Sequence, residues 1–189
     1  MSTAWQPMTA DSLSEVEPAL RGWISTTGLL THKLGSATGS YAVEVELEKP
    51  SALSAEEAKL LGCAVQPALL REIELDTEKR ACIFARTLIP DSTLRDHPWL
   101  ADLGDSPLGE TLLRRRGDVT RSGFEIAQLD PDDELYAKAA SRLVADPEAL
   151  WARRSVFRIG QAGLLVYEVL LPPIAGFAVP AGIPGEDRM

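Results

Sequence analysis

Residues 66–90 constrain the fold of this chain more than any other stretch. They read QPALLREIELDTEKRACIFARTLIP, two runs rich in apolar residues on either side of a polar segment at 76–79. Side chains on a strand alternate between its two faces, and in the first run this places Glu72 and Glu74 opposite an apolar face. The second run, 80–89, is apolar on both faces, which is typical of a central strand covered on both sides. We predict a β-hairpin in the middle of a sheet.

Arg71 is the one charged residue on the apolar face of the first strand, which it shares with Leu69, Ile73 and Leu75. A guanidinium buried among such residues needs an anion, because an unpaired buried charge is very costly. Either another part of the protein supplies a carboxylate or a ligand does. The functional interpretation starts from that choice.

The rest of the chain alternates between short strands and short helices. Further strands are predicted at 41–48, 118–129, 149–159 and 164–171, and helices at 13–23, 28–34, 54–61, 107–113 and 131–145. The first helix is broken at Pro18, the second ends at Gly35, and Gly123 is a candidate bulge. The helix at 54–61 opens with a Ser-x-x-Glu capping box formed by Ser54 and Glu57. This gives an α+β single domain, a mainly antiparallel sheet of about six strands with helices over one face. Its 189 residues form one domain with a core at about 20–172 and loose tails at 1–10 and 173–189.

Charge and cysteine content narrow the function classes. The formal net charge of −9 argues against a nucleic-acid-binding protein, which needs a basic face. Local arginines must therefore hold any anionic ligand. The cysteines, Cys63 and Cys82, have no metal-binding spacing and imply no disulfide, which fits a reducing cytosol. With no signal-peptide pattern and no run of about 20 apolar residues, we expect a cytoplasmic protein that does not insert into a membrane. We also expect a monomer.

Glu168 is the second unusual charge, because it lies inside the apolar strand segment LLVYEVLLP. Arg71 and Glu168 could form a buried salt bridge, or each could be satisfied by backbone groups. Alternatively both line an apolar pocket, where Arg71 holds a ligand carboxylate through its two-pronged guanidinium. Glu168, with its pKa raised by desolvation, would then be a proton donor or hydrogen-bond partner at the far end. Such a pocket suits a small aromatic or cyclohexadiene acid that bears a hydroxyl group.

Other polar residues are weaker candidates. Arg153 shares a strand face with Trp151 and Phe157 and has a minor claim to a site role. The chain has no glycine-rich phosphate loop, no HExxH and no CxxC motif. Arg86 and Arg121 are expected to be structural or surface residues. His32 and His97 have no partner motif and are not expected to be catalytic, although His32 could lie near the mouth of a site.

Several short motifs together resemble the chorismate lyase (chorismate pyruvate-lyase) family. They run in order over about residues 20–172: LREI at 70–73, ARTLIP and STL within 85–94, LG and SPLG within 103–109, TR and FEI within 120–126, LW and RRS within 150–155, and YEVLLP at 167–172. The resemblance implies an antiparallel sheet with a buried site closed by helical flaps, and no metal or organic cofactor. It also implies a carbon–oxygen lyase that eliminates pyruvate from chorismate to give 4-hydroxybenzoate, the first committed step of ubiquinone biosynthesis.

The resemblance also assigns residues. Arg71 falls on the arginine that binds the ring carboxylate, and Glu168 on the glutamate near the ring hydroxyl. Leu108 falls on a leucine that touches the ligand, and Leu30 stands where the family has a methionine, a mild change at an apolar contact. The segment 130–147 looks inserted relative to shorter members. Glu168 could be a general acid, or could only orient the substrate in a concerted elimination.

Two other functions compete with this one. A non-enzymatic aromatic-acid-binding domain would have a similar fold, but such effector domains accompany a DNA-binding domain, for which residues 1–40 have no recognition-helix pattern. A sister lyase that makes another hydroxybenzoate isomer would share both fold and pocket, and only the product would distinguish it.

Overall fold

An antiparallel sheet forms the centre of the computed structural model, which describes residues 3–78, 80–114, 119–141 and 143–180. The strands are β1 (Gln6–Pro7), β2 (Ala42–Ala52), β3 (Pro67–Thr77), β4 (Arg80–Pro90), β5 (Val119–Arg121), β6 (Glu125–Leu129), β7 (Leu150–Ile159) and β8 (Ala162–Leu170). Their order is β1-β6-β7-β8-β4-β3-β2, and β5 also pairs with β7. The α+β fold class predicted from the sequence is confirmed.

Short helices connect these strands. They are α1 (Ala10–Ser14), α2 (Pro18–Ile24), α3 (Leu30–Thr38), α4 (Ala55–Leu61), α5 (Asp91–Asp96), α6 (Leu108–Arg114) and α7 (Glu134–Ala140), with 3₁₀ turns at Pro98–Ala101 and Pro172–Gly176. No helix in the described parts of the chain is long and apolar enough to cross a membrane.

The predicted hairpin is β3 and β4, and it occupies an inner position in the sheet. Arg71 lies opposite Thr87 and Ile73 lies opposite Ala85. The other neighbour of β4 is β8, although 71 residues separate the end of one from the start of the other. This pairing joins two groups of consecutive strands, β2–β4 and β5–β8, into one sheet.

Helices cover both faces of the sheet, so the expectation of one covered face was wrong. The face that carries Leu70 and Phe84 packs against α4 and α7. The opposite face, with Ile73 and Ile83, packs against α2 and α3. Because Leu70 and Ile73 have opposite parity on β3, the two clusters lie on opposite sides of the sheet. An inner strand with two apolar faces needs this double cover.

Local capping sets several helix ends. In α4, Ser54 accepts a hydrogen bond from the Glu57 amide while the Glu57 carboxylate accepts one from the Ser54 amide, the predicted capping box. The prediction that the second helix ends at Gly35 was wrong, because α3 continues to Thr38. Gly39 ends it with a φ of +81°, a left-handed conformation that glycine adopts without strain.

Other boundaries also differ from the prediction. The strand expected at 118–129 divides into β5 and β6, which both pair with β7. With β1, which was not predicted, the described sheet has eight strands rather than about six. The helix expected at 131–145 is shorter: Asp133 caps its start, and it ends at Ala140 with Ser141 as the C-cap residue. The tails are not loose throughout: β1 pairs with β6, and Trp23 donates a hydrogen bond to the Phe177 carbonyl. Residues 181–189 of the predicted tail lie outside the described residues.

Candidate functional site

A cavity of about 60 Å³ lies between the sheet and two helix starts. Since a cavity of roughly 10–15 Å³ is enough to hold one water molecule, this one has room for only a few waters. Its floor comes mainly from β3, β4 and β8. The lining residues are Ile73, Leu75, Ile83, Ala85, Thr87, Val166 and Glu168 below, Arg121 and Phe157 at one side, and residues 29–31 and 107–109 above.

The roof of the cavity is made by the first residues of α3 and α6, which touch each other. A Cβ atom on Gly109 would lie 2.5 Å from Leu29 Cδ2, so the two helix starts approach closely only because residue 109 is a glycine. Glu110 adds polar contacts, since it accepts a hydrogen bond from the Tyr41 hydroxyl and its Oε1 lies 3.9 Å from His32 Nε2. Burial and the Glu110 carboxylate together raise the pKa of Tyr41 to about 12, so this hydroxyl keeps its proton.

Glu168 is the carboxylate of the cavity floor, and two arginines hold it. Its Oε2 accepts a hydrogen bond from Arg153 Nε at 2.7 Å and another from Arg121 Nη2 at 3.0 Å. Arg153 lies directly opposite Glu168 in the register of β7 and β8. The exposed fraction is 15% for the Glu168 side chain, 5% for Arg121 and 0% for Arg153. A carboxylate and two guanidinium groups therefore share one buried site.

The charges of this cluster determine what Glu168 can do. Burial alone raises the pKa of Glu168, but the two arginines outweigh burial, and the net result is a lowered pKa. The sequence expectation of a raised pKa was therefore wrong. Burial lowers the pKa of Arg121 to about 10, against the opposing effect of Glu168, and leaves it a cation at neutral pH. Glu168 is a carboxylate, which accepts hydrogen bonds rather than donating them.

Within the described part of the chain, the guanidinium of Arg121 makes contacts through every nitrogen except Nη1. Its Nε donates to Ser155 Oγ at 2.8 Å, and its guanidinium carbon lies 4.2 Å and 4.5 Å from the ring centroids of Phe124 and Phe157. Its Nη1 atom is buried and has no hydrogen-bond partner within the described residues. Arg121 thus brings an unused donor to the wall of the cavity.

Arg153 is fixed differently. Its Nη1 donates to the carbonyls of Ile24 and Thr26 at the end of α2, which ties the cluster to the segment leading into α3. Its Nη2 also has no hydrogen-bond partner among described residues, but Arg153 does not line the cavity.

Arg71 lies beside the cavity rather than in its lining. Its Nη1 donates to Glu48 Oε2 at 2.9 Å, and its Nη2 donates to the carbonyl of Gly104. Glu48 is its direct neighbour across β2 and β3. Of the four site residues predicted from the sequence, Leu30, Leu108 and Glu168 line the cavity, and Arg71 is next to it through Thr87.

The sheet register explains why Arg71 and Glu168 do not form the salt bridge that the sequence left open. One cross-strand row runs Arg71, Thr87, Val166, Ser155, and the next runs Ile73, Ala85, Glu168, Arg153. Arg71 is therefore two strands and one row away from Glu168. Each charge instead finds a partner closer in the sheet.

Sequence reasoning missed Arg121 and undervalued Arg153. The apolar neighbours of Arg153 on its strand face were the available signal for a buried charge. For Arg121 no comparable signal existed, because β5 is short and its pairing with β7 is not encoded locally. Arg86 lies on the opposite face of the sheet, where it pairs with Glu72 at 2.6 Å. In the described part of the chain, no three His, Cys, Asp or Glu side chains cluster so as to hold a metal ion.

Comparison with known proteins gives a family match along most of the chain. The family model described as chorismate lyase matches residues 1–177. A probable chorismate pyruvate-lyase from Pseudoalteromonas translucida is 32% identical over 91% of this chain and 93% of its own length. The corresponding protein from Thiobacillus denitrificans is 37% identical over 82% of this chain and 83% of its own.

Two solved structures that share the fold are domains of proteins with other names. The effector domain of PhnF from Mycobacterium smegmatis superposes with a TM-score of 0.59 at 18% identity, over 78% of this chain and 91% of that domain. The C-terminal domain of a histidine utilization repressor from Pseudomonas syringae pv. tomato gives a TM-score of 0.57 at 11% identity, over 76% and 98%. At these identities the likeness concerns the fold.

Proposed function

The chain belongs to the chorismate lyase family and is a lyase, and from this premise we propose that it eliminates pyruvate from chorismate to give 4-hydroxybenzoate. In this proposal the product is the ring precursor of ubiquinone, and the protein acts as a cytoplasmic monomer. The observation that carries the proposal is the ionised Glu168, held by Arg121 and Arg153 on the floor of a mainly apolar cavity.

The cavity provides the surroundings that a cyclohexadiene acid needs. The ring would lie on the apolar floor, between Ala85 and Val166 below and Leu30 and Leu108 above. Glu168 would accept a hydrogen bond from the C4 hydroxyl. Arg71 would hold the ring carboxylate at C1, the para position, on the side of the floor nearer β3.

Within the described residues Arg71 keeps free N–H groups for this role, but it does not line the cavity, so the cavity would have to extend past Thr87 for the carboxylate to reach it. Its contacts with Glu48 and Gly104 engage two of the five N–H groups that a guanidinium carries. Chorismate is larger than its aromatic product, so substrate entry requires the contact between Leu29 and Gly109 to open. Closure then excludes water around the reacting ring.

The reaction needs little chemical assistance. The C4–H bonding pair becomes the C3–C4 π bond and makes the ring aromatic. The C3–O bonding pair leaves with the enolpyruvyl oxygen, and the C4 proton ends on that fragment, which is released as pyruvate. Because Glu168 is ionised, we propose that it orients the C4 hydroxyl rather than protonating the ether, and that catalysis consists mainly of positioning.

A second candidate function follows from the fold. The effector domain of PhnF and the C-terminal domain of a repressor share this architecture, so an aromatic-acid-binding role without turnover is the alternative. A lyase that makes another hydroxybenzoate isomer is the third. All three predict binding of a small aromatic acid, and they differ in the products formed.

The experiment is to incubate the purified protein with chorismate in EDTA-treated buffer and to identify the products by chromatography. We expect pyruvate and 4-hydroxybenzoate in equal amounts. Another isomer would change the product assignment, and binding of 4-hydroxybenzoate without turnover would refute the enzyme proposal. Glu78→Gln, a change in an exposed ion pair with Arg80, is the matched control.

Two variants test the residue roles. Arg71→Ala should abolish tight binding of 4-hydroxybenzoate, and retained affinity would show that the anchor lies elsewhere. Glu168→Gln should reduce turnover more than binding. Unchanged turnover would remove Glu168 from the reaction.

A further inference from the structure

Arg121 presents a buried donor to the cavity that nothing in the described structure uses. Its Nε and Nη2 are bonded to Ser155 and Glu168, and Nη1 has no partner within those residues. A buried guanidinium N–H without an acceptor is costly, so such groups are usually satisfied by protein, water or ligand. The side chain lines the cavity, so a ligand can reach it.

The geometry of the guanidinium favours an anionic ligand group. Phe124 and Phe157 lie against it at 4.2 Å and 4.5 Å from its central carbon, which fixes its orientation. The cluster of Glu168 with Arg121 and Arg153 carries one negative and two positive charges. The side chain of Arg153 is fully buried and does not line the cavity, so of the two arginines bonded to Glu168 a ligand would meet Arg121. A carboxylate at Nη1 would balance the charge of the cluster.

The proposed substrate has two carboxylates, and the sheet places two arginines on opposite sides of the floor. Arg71 stands at one end of a cross-strand row that finishes at Ser155, to which Arg121 is bonded. Three strand spacings separate the Cα atoms of Arg71 and Ser155, roughly 14 Å. Two anionic groups on one ring could therefore each meet a different arginine.

We propose that Arg121 Nη1 binds the carboxylate of the enolpyruvyl group, the part of the substrate that leaves as pyruvate. The inference rests on the proposed function, which puts Glu168 beside the C4 hydroxyl. The enolpyruvyl ether is on C3, the adjacent carbon, so its carboxylate lies toward the arginines bonded to Glu168. As the C3–O bond breaks, its electron pair moves onto the departing fragment, and Arg121 stabilises that developing charge.

The test compares stable aromatic ligands that differ by one carboxylate. 4-Hydroxybenzoate has only the ring carboxylate, 3-methoxy-4-hydroxybenzoate adds a neutral ether, and 3-(carboxymethoxy)-4-hydroxybenzoate adds an ether that ends in a second carboxylate. Their dissociation constants are measured by calorimetry for the wild type, Arg121→Gln and Arg121→Lys. Arg158→Gln is the control, because Arg158 bonds the Leu61 carbonyl outside this cavity.

We expect the wild type to bind the dicarboxylate about ten- to a hundredfold more tightly than the neutral ether, the range of one charge-assisted hydrogen bond. Arg121→Gln should abolish this difference whatever its effect on 4-hydroxybenzoate affinity, because the two ethers are compared within the same variant. Arg121→Lys keeps a positive charge beside Glu168, so it tests the proposal even if Arg121→Gln does not fold. It should lose most of the affinity difference between the two ethers. Arg158→Gln should behave as the wild type.

Equal binding of the two ethers by the wild type would overturn the proposal without any variant. An undiminished difference in Arg121→Gln would also overturn it. Turnover of chorismate by the wild type is measured in parallel. If turnover fails while the difference between the ethers depends on Arg121, the carboxylate site stands and the lyase proposal falls.

Discussion

Glu168 and Arg153 face each other across β8 and β7, with Oε2 and Nε 2.7 Å apart. This pair, with Arg121 beside it, is a buried charge cluster in the centre of the sheet. Removing one charge leaves the other buried and unpaired. This destabilises a fold more than replacing the whole pair by apolar residues.

Glu168→Gln should therefore destabilise the protein by about 3–5 kcal/mol. The amide has nearly the same shape but leaves two arginines without their anion. Urea unfolding at neutral pH measures the change. Glu78→Gln, in the exposed pair with Arg80, should change stability by less than about 1 kcal/mol. Equal stability losses in the two variants would contradict the structural assignment.

The lowered pKa of Glu168 predicts how stability responds to acid. The unfolded chain binds a proton at about the ordinary value of 4.5, and the folded chain only at lower pH. Glu168 therefore contributes its full stabilisation above about pH 4.5, and this is lost as pH falls through the lower folded value. The stability difference between wild type and Glu168→Gln should shrink in that window. If the stability difference instead grows on acidification, folding raises the pKa of Glu168 rather than lowering it.

Turnover should depend little on Glu168 protonation near neutral pH. If the ionised form orients the substrate, kcat should be flat from about pH 6 to pH 8, because Glu168 stays a carboxylate there. A mechanism that needs protonated Glu168 would instead lose about tenfold in kcat for each pH unit above its pKa. A stopped assay of pyruvate across this range distinguishes the two.

Gly109→Ala should loosen the closed cavity. The new Cβ would lie 2.5 Å from Leu29 Cδ2, so Leu29 must move and the two helix starts must separate. We expect several-fold faster release of 4-hydroxybenzoate, followed by stopped-flow fluorescence. Alanine also has a helix propensity about 1 kcal/mol better than glycine, so unfolding of α6 is not the cause.

The control for this variant is Gly176→Ala, where a Cβ would meet nothing within 4 Å. It should release the ligand at the wild-type rate. An unaltered rate in Gly109→Ala would show that the contact with Leu29 does not limit release.

The two cysteines should react at very different rates. Both are free thiols, and Cys82 is buried while Cys63 is partly exposed. Burial raises the pKa of Cys82 to about 11, so it has little thiolate at neutral pH. Mass spectrometry after brief alkylation of the native protein should find the label on Cys63. Labelling of Cys82 should require denaturant.

The sequence predicted those parts of the fold that depend on local patterns. The β3–β4 hairpin, the capping box at Ser54 and the need of Arg71 for a carboxylate all follow from period-2 alternation, capping chemistry and the cost of a buried charge. The identity of that carboxylate, Glu48, follows from the pairing of β2 with β3.

The cluster at Glu168 shows where local reasoning ends. Its two arginines come from β5 and β7, and their approach depends on register between strands that no local pattern fixes. A carboxyl group alone in an apolar strand predicts a raised pKa. The two arginines that lower the pKa of Glu168 lie on other strands, so they can be identified only once the strand pairing is known.

The cavity lies over the junction between β4 and β8, so a ligand bound there would affect the stability of the sheet. These strands join the two groups of consecutive strands, and the floor straddles the junction, with Ala85 and Thr87 on one side and Val166 and Glu168 on the other. A bound ring would contact both strands and so stabilise their pairing. At a concentration one hundred times its dissociation constant, such a ligand adds about 2.7 kcal/mol to the stability of the folded state. The folded state would therefore be most stable when the ligand is bound.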